Sequence, residues 1–217
     1  MGFDFIPEAK SKWVYSFIAL QIPKCASSSI AACVGDRNLI QKHKGLIAEK
    51  FGRTPLYKGV FDTRHLLPSD IFAVFGRQVY DYFSFAVVRE PIDRLVSSWK
   101  FGKKMKLGYL YGFSQGCSFS EYVDFLYESW ENGRKDILIL RPQTDWTHNS
   151  VFHPTTIIRY ENLNSEWANM LEEYKIEGLP MELPWENRSE KEEVTISAAT
   201  RKLILTIYQK DEILGYE

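Results

Sequence analysis

The sequence predicts an α/β fold in which helices are layered on a mainly parallel sheet. Two observations carry this expectation. Runs rich in β-branched and aromatic residues alternate with runs of helical periodicity, and no segment repeats another. The length, 217 residues, matches one domain on a prior of roughly 100–200 residues each, so a single domain over 1–217 is expected.

Taken in order, Lys12 to Ile22 (KWVYSFIALQI) reads as a buried strand that stops at Pro23. Ser27 to Val34 reads as a helix with serines as candidate N-caps and Gly35 just past its end. Tyr82 to Val88 (YFSFAVV) is a second strand. Ile92 to Phe101 follows as a helix, with Ile92, Leu95, Val96 and Trp99 on one face and Gly102 as terminator. Gly102 to Gly116 reads as a surface loop. Ser118-Phe119-Ser120-Glu121 has the form of a capping box and opens an apolar stripe of Phe119, Tyr122, Val123, Leu126 and Trp130. Ile137 to Leu140 and Thr155 to Arg159 are short candidate strands. Trp167, Met170, Leu171 and Tyr174 mark a helix capped at Asn164 or Ser165, and Ile196 to Leu214 reads as one long terminal helix.

The composition, 45% hydrophobic and 25% charged, is that of a globular chain and argues against disorder. A formal charge of −1 excludes a uniformly basic nucleic-acid binder, yet the charge is unevenly placed. Residues 1–110 hold 17 Lys+Arg against 9 Asp+Glu, and the remainder holds 10 against 19, so an anionic ligand is expected in the N-terminal half. Three cysteines without a CxxC pair argue against a disulfide framework and fit a reducing compartment. No stretch approaches the ~20 apolar residues of a membrane span. The segment from Met1 to Lys10 lacks a signal-peptide core, so a cytoplasmic protein is expected.

A strand, a tight turn of small hydroxyl residues and a helix start form a phosphate-binding geometry, because the free N–H groups of the first helical turn point at the anion. Here the turn is Pro23-Lys24-Cys25-Ala26-Ser27-Ser28-Ser29, and the GxxxxGK[ST] frame of a Walker loop is absent. The same turn also reads as a plain junction with serine caps. Further on, Val88-Arg89-Glu90-Pro91-Ile92-Asp93-Arg94-Leu95-Val96-Ser97 sets an arginine at a strand end and a serine eight residues later. Arg89 and Ser97 can grip one terminal phosphate. Arg94 reads as a helix-surface residue paired with a neighbouring acid.

Together these two elements resemble the sulfotransferases that use 3′-phosphoadenosine 5′-phosphosulfate (PAPS). The first is similar to the family's 5′-phosphosulfate loop and the second to its 3′-phosphate motif, VRxPxxRxxS. Arg141-Pro142-Gln143-Thr144, Ile158-Arg159-Tyr160-Glu161-Asn162-Leu163 and Leu183-Pro184-Trp185-Glu186-Asn187-Arg188-Ser189 resemble segments of its carbohydrate and bacterial branch. Cys25-Ala26 departs from the Thr-Gly or Gly-Gly usual in the loop, and Glu90 stands where Asn or Asp is usual.

The resemblance implies a P-loop-like α/β domain and transfer of a sulfuryl group from PAPS to an acceptor hydroxyl of the saccharide class, with adenosine 3′,5′-bisphosphate (PAP) as product and no metal. Lys24 would neutralise the leaving oxygen. Pro23, Lys24, Cys25, Ala26, Ser27, Ser28 and Ser29 would line the 5′-phosphate, and Arg89 and Ser97 the 3′-phosphate. Arg188 reads either as a second 3′-phosphate contact or as a solvated arginine beside Glu186 and Glu190. His65 corresponds to the catalytic histidine, the general base, of carbohydrate sulfotransferases. Asp62 would orient it or substitute for it on the acceptor side, and Gln143 would face the acceptor. A P-loop-like kinase would need Mg²⁺ ligands and the missing glycines, whereas a non-catalytic nucleotide-binding module would need neither Lys24 nor His65. No nucleic-acid or membrane partner is expected, and a bacterial or viral cytosolic enzyme is the natural source.

Overall fold

A strand buried on both faces needs apolar residues without alternation, and Phe17–Leu20 supplies such a run as β1. The computed structural model describes residues 16–51, 65–105, 116–134, 136–184 and 194–216. The first part of the expected opening strand, and the expectations resting on Asp62 and Arg188, lie outside these residues. β2 (Phe83–Val88) is buried throughout, and β3 (Thr156–Arg159) completes a sheet of order β1-β2-β3. Both pairings are parallel, with Phe17 opposite Phe83 and Phe85 opposite Thr156. The α/β class with a parallel sheet flanked by helices is thus observed.

After β1 come α1 (Ser27–Val34), α2 (Leu39–Lys42), α3 (Lys44–Phe51) and α4 (Pro68–Phe75). After β2 come α5 (Pro91–Lys104), α6 (Phe119–Glu131) and α7 (Thr144–Thr147); β3 leads to α8 (Leu163–Glu173) and α9 (Ala198–Ile207). One apolar cluster surrounds the sheet and contains Phe17, Phe83, Phe85, Trp146 and Trp167. A second joins α5, α6 and α9 through Leu95, Trp99, Tyr122, Leu126, Ile204 and Tyr208.

Several boundaries differ from expectation for identifiable reasons. Gly102 does not end α5: it is buried in the helix, which runs on until Met105 N–H bonds the Phe101 carbonyl. Ile137 to Leu140 holds no strand; bonds from Leu140 N–H to Ile137 O and Arg141 N–H to Leu138 O tighten it into a 3₁₀ turn, and Ile139 and Leu140 enter the helical cluster. Trp130 is 39% exposed, because buried Ser129 continues the inner face of α6. The Ser118 capping box forms as read. α8 begins at Leu163, with Asn162 rather than Asn164 or Ser165 in the N-cap position.

The terminal helix stops at Ile207 and gives way to a 3₁₀ segment, Gln209–Leu214. Tyr208 and Asp211 both point inward, Tyr208 to the Ile139 carbonyl and Asp211 to residues 143 and 144. Both side chains are buried, and residues three apart share a face in a 3₁₀ turn.

Asn38 closes the outer edge of β1, with a parallel backbone bridge to Phe17 and a side chain paired with Ala19. Asn38 Oδ1 accepts from Ala19 N–H at 3.3 Å and from Ile40 N–H at 3.2 Å, while Nδ2 donates to Ala19 O at 3.4 Å. Asn38 is 2% exposed, so its loss strands buried backbone groups beside the turn that carries Lys24. Asn38→Ala is expected to lower unfolding free energy by about 2 kcal/mol, read from urea denaturation; a loss under about 0.5 kcal/mol would contradict this role.

Candidate active site

All three strands of the parallel sheet end on the same side, and the chemistry-bearing turns follow their carboxyl ends. β1 feeds the turn Pro23–Ala26, β2 feeds Arg89, and β3 feeds Tyr160. Cys25 N–H bonds Ile22 O at 3.2 Å, and Ile30 N–H makes the first bond of α1, to Ala26 O at 3.0 Å. The N–H groups of Ser27, Ser28 and Ser29 therefore precede the helical ladder, where an anion can receive them.

The serines do not cap this helix as expected. Ala26 occupies the N-cap position, and the Ser27 hydroxyl turns back to donate to Ile22 O at 2.8 Å. Ser28 is exposed and Ser29 is buried. Lys24 and Ala26 both lie in the left-handed region, at φ 67° and 58°. That conformation costs an L-residue roughly 1–2 kcal/mol, which explains why glycine suits the turn.

Three cations converge on this turn. Lys24 Nζ stands 3.8 Å from the centroid of the Phe101 ring. Its pKa is lowered to about 8, chiefly by burial and then by the neighbouring Arg89 guanidinium. Arg89 Nη1 donates to Lys24 O at 3.4 Å, and its guanidinium carbon lies 4.0 Å from the Tyr160 centroid. Arg94 is fully buried rather than on the helix surface, which corrects the expected pairing with an acid. Its Nε donates to Pro23 O and its Nη1 to Arg141 O, both at 3.1 Å, and it packs on the Tyr208 ring.

None of the three makes an ion pair among the described residues, where the ion pairs are Arg134–Asp136 and Arg141–Asp145. Arg89 Nε and Arg94 Nη2 are buried without a hydrogen-bond partner. Such groups carry a desolvation cost.

Ser97 lies on α5 between Arg94 and Phe101, three residues after one and four before the other, on the face turned toward Pro23 and Lys24. The structure therefore brings Lys24, Arg89 and the Ser97 face of α5 together around one turn. Glu90, the departure noted in the motif, caps α5: its carboxylate accepts from Asp93 N–H at 2.7 Å, with Pro91 next in the first turn. Asn or Asp would do the same work, and burial raises the Glu90 pKa.

His65 is half-buried, and its Nδ1 lies 2.7 Å from Gln21 O, three residues before Lys24. A carbonyl only accepts, so Nδ1 carries the proton and the basic nitrogen of the neutral ring is Nε2. Trp146 Nε1 anchors the next residue by donating to Leu66 O at 3.0 Å.

Gln143 does not face an acceptor. It is fully buried, and its amide bonds Arg89, Cys25 and Asp211. Cys25 is likewise internal, its thiol donating to Gln143 Oε1 at 3.3 Å and its pKa pushed up to about 12 by burial. Sequence reasoning missed Asp211 and Trp146. An acid near the C-terminus reads as solvated, and a tryptophan's hydrogen bond to a distant carbonyl leaves no local pattern.

Among the described residues no helix is long and apolar enough to cross a membrane. No group of three or more His, Cys, Asp and Glu side chains arranged to hold a metal occurs among them either. No curated protein and no solved structure matches the chain significantly. A family model described as the sulfotransferase family matches residues 11–217, nearly the whole sequence, and the chain belongs to that family.

Proposed function

We propose that this protein transfers a sulfuryl group from PAPS to an acceptor hydroxyl, with saccharides as the acceptor class. The observation that carries the reading is the gathering of Lys24, Arg89 and Arg94 around one helix-opening turn without a neutralising carboxylate among the described residues. A donor with phosphates at both its 3′ and 5′ positions matches that field. The 5′-phosphosulfate would lie against Lys24 and the N–H groups of Ser27, Ser28 and Ser29. The 3′-phosphate would lie against Arg89 and Ser97, with Arg188 as a further contact.

The reaction is an in-line displacement at sulfur. The acceptor oxygen forms the new S–O bond as the bond from sulfur to the 5′-phosphate oxygen breaks, and PAP departs. His65 Nε2 takes the acceptor's proton, with Nδ1 anchored on Gln21 O; Asp62 is the further candidate for orienting that ring. Lys24 stabilises the negative charge on the departing phosphate oxygen. No step calls for a metal.

Calorimetric titration tests the donor. PAP is expected to bind without metal and more tightly than ATP with Mg²⁺, and Arg89→Ala is expected to weaken PAP at least tenfold. Preference for ATP with Mg²⁺ would instead identify a kinase. Separately, His65→Ala is expected to lower turnover by roughly 10²–10⁴-fold with PAP affinity within twofold of the parent. Full turnover in that variant would place the base elsewhere.

A further inference from the structure

Arg89 is the first residue beyond β2, where the chain leaves its neighbouring strands and its backbone loses ladder partners. One side chain replaces them. Gln143 Oε1 accepts from Arg89 N–H and Gln143 Nε2 donates to Arg89 O, both at 2.8 Å. The same Oε1 accepts from the Cys25 thiol at 3.3 Å, so a single amide holds both the end of β2 and the turn that carries Lys24.

The amide has only one orientation available. Asp211 is 1% exposed, and its Oδ2 lies 3.3 Å from Gln143 Nε2. A carboxylate only accepts, so the nitrogen must face Asp211 and the oxygen must face Arg89 N–H and Cys25. Asp211 is itself fixed, because Oδ2 also accepts from Gln143 N–H at 3.0 Å and Oδ1 accepts from Thr144 N–H at 3.0 Å and Oγ1 at 3.2 Å. Residues from four distant parts of the chain thus share one buried, hydrogen-bonded polar cluster.

We infer that Gln143 and Asp211 form a positioning pair that fixes the Arg89 backbone against the Cys25 turn and thereby sets the donor-binding guanidinium. This rests on the reading of Arg89 as a donor contact. Neither residue touches the donor in this account. Their effect passes through Arg89, whose Nη1 reaches Lys24 O across the same junction.

A double-mutant cycle separates positioning from bulk stability. Gln143→Glu keeps an acceptor for Arg89 N–H but loses the donor to Arg89 O and sets a carboxylate against Asp211. It is expected to raise Kd for PAP and KM for PAPS at least tenfold, with KM for the acceptor within twofold. In an Arg89→Ala background the same change is expected to alter PAP affinity less than twofold, because the group being positioned is gone. Asp211→Asn, which leaves the Gln143 side chain in place, is expected to behave alike and carries the test if Gln143→Glu does not fold. A loss that multiplies fully with that of Arg89→Ala would overturn the inference, as would unchanged PAP affinity in a folded variant. Equal PAP binding by the parent and Arg89→Ala would overturn the donor reading and the inference with it.

Discussion

The structure is organised around positive charge that is held in place and, among the described residues, not paired with a carboxylate. Each of the three cations at the strand ends is held by neutral partners: Lys24 by the Phe101 ring, Arg89 by Lys24 O and Tyr160, and Arg94 by two carbonyls and Tyr208. Carbonyl dipoles and aromatic faces fix a cation's position without cancelling its charge. The acids nearby are engaged elsewhere. Asp211 accepts from Gln143 and Thr144, and Glu161 accepts from Glu90 N–H and the Tyr216 hydroxyl. The cost of burying these cations appears in the lowered pKa of Lys24 and in the unpartnered guanidinium nitrogens.

The parallel sheet makes this arrangement possible. Adjacent strands ending on one side bring residues 24, 89 and 160 together although they lie far apart in sequence. Two side chains then act as substitutes for strands. Asn38 closes the edge of β1, and Gln143 takes over the ladder where β2 runs out. Both are buried amides with a donor and an acceptor on one planar group, the combination a peptide neighbour would offer.

This division explains what the sequence could reveal. β2, β3, α1 and the Ser118 box were legible because continuous apolar runs, Gly35 at the end of α1 and the capping box are local signals. Lys24, Arg89, Ser97 and His65 entered the expected site only as spaced motifs, and the fold brings Lys24 and Arg89 to one turn. Gln143 was misread as outward-facing, since a polar residue after Pro142 suggests solvent until its buried partners are known. Arg94 was misread for the same reason. The break at Tyr208 was hidden because the apolar periodicity continues through it, while the force that bends the chain is the inward pull on Asp211. The short helices α2, α3 and α4 were not anticipated; each is too short for a periodic stripe to stand out.

If the cations at the strand ends receive the donor's phosphates, Lys24 takes up a proton as the ligand binds, and that uptake is the most direct test. Burial and the Arg89 guanidinium lower the Lys24 pKa to about 8, so part of its protonation is lost in this range, and a bound phosphate would draw the proton back. Affinity for PAP should therefore fall as pH rises through 8. Calorimetry of PAP binding at pH 8 in buffers of different ionisation enthalpy should report net proton uptake, lost in Lys24→Met. PAP binding with no uptake, or uptake that survives in Lys24→Met, would contradict the account.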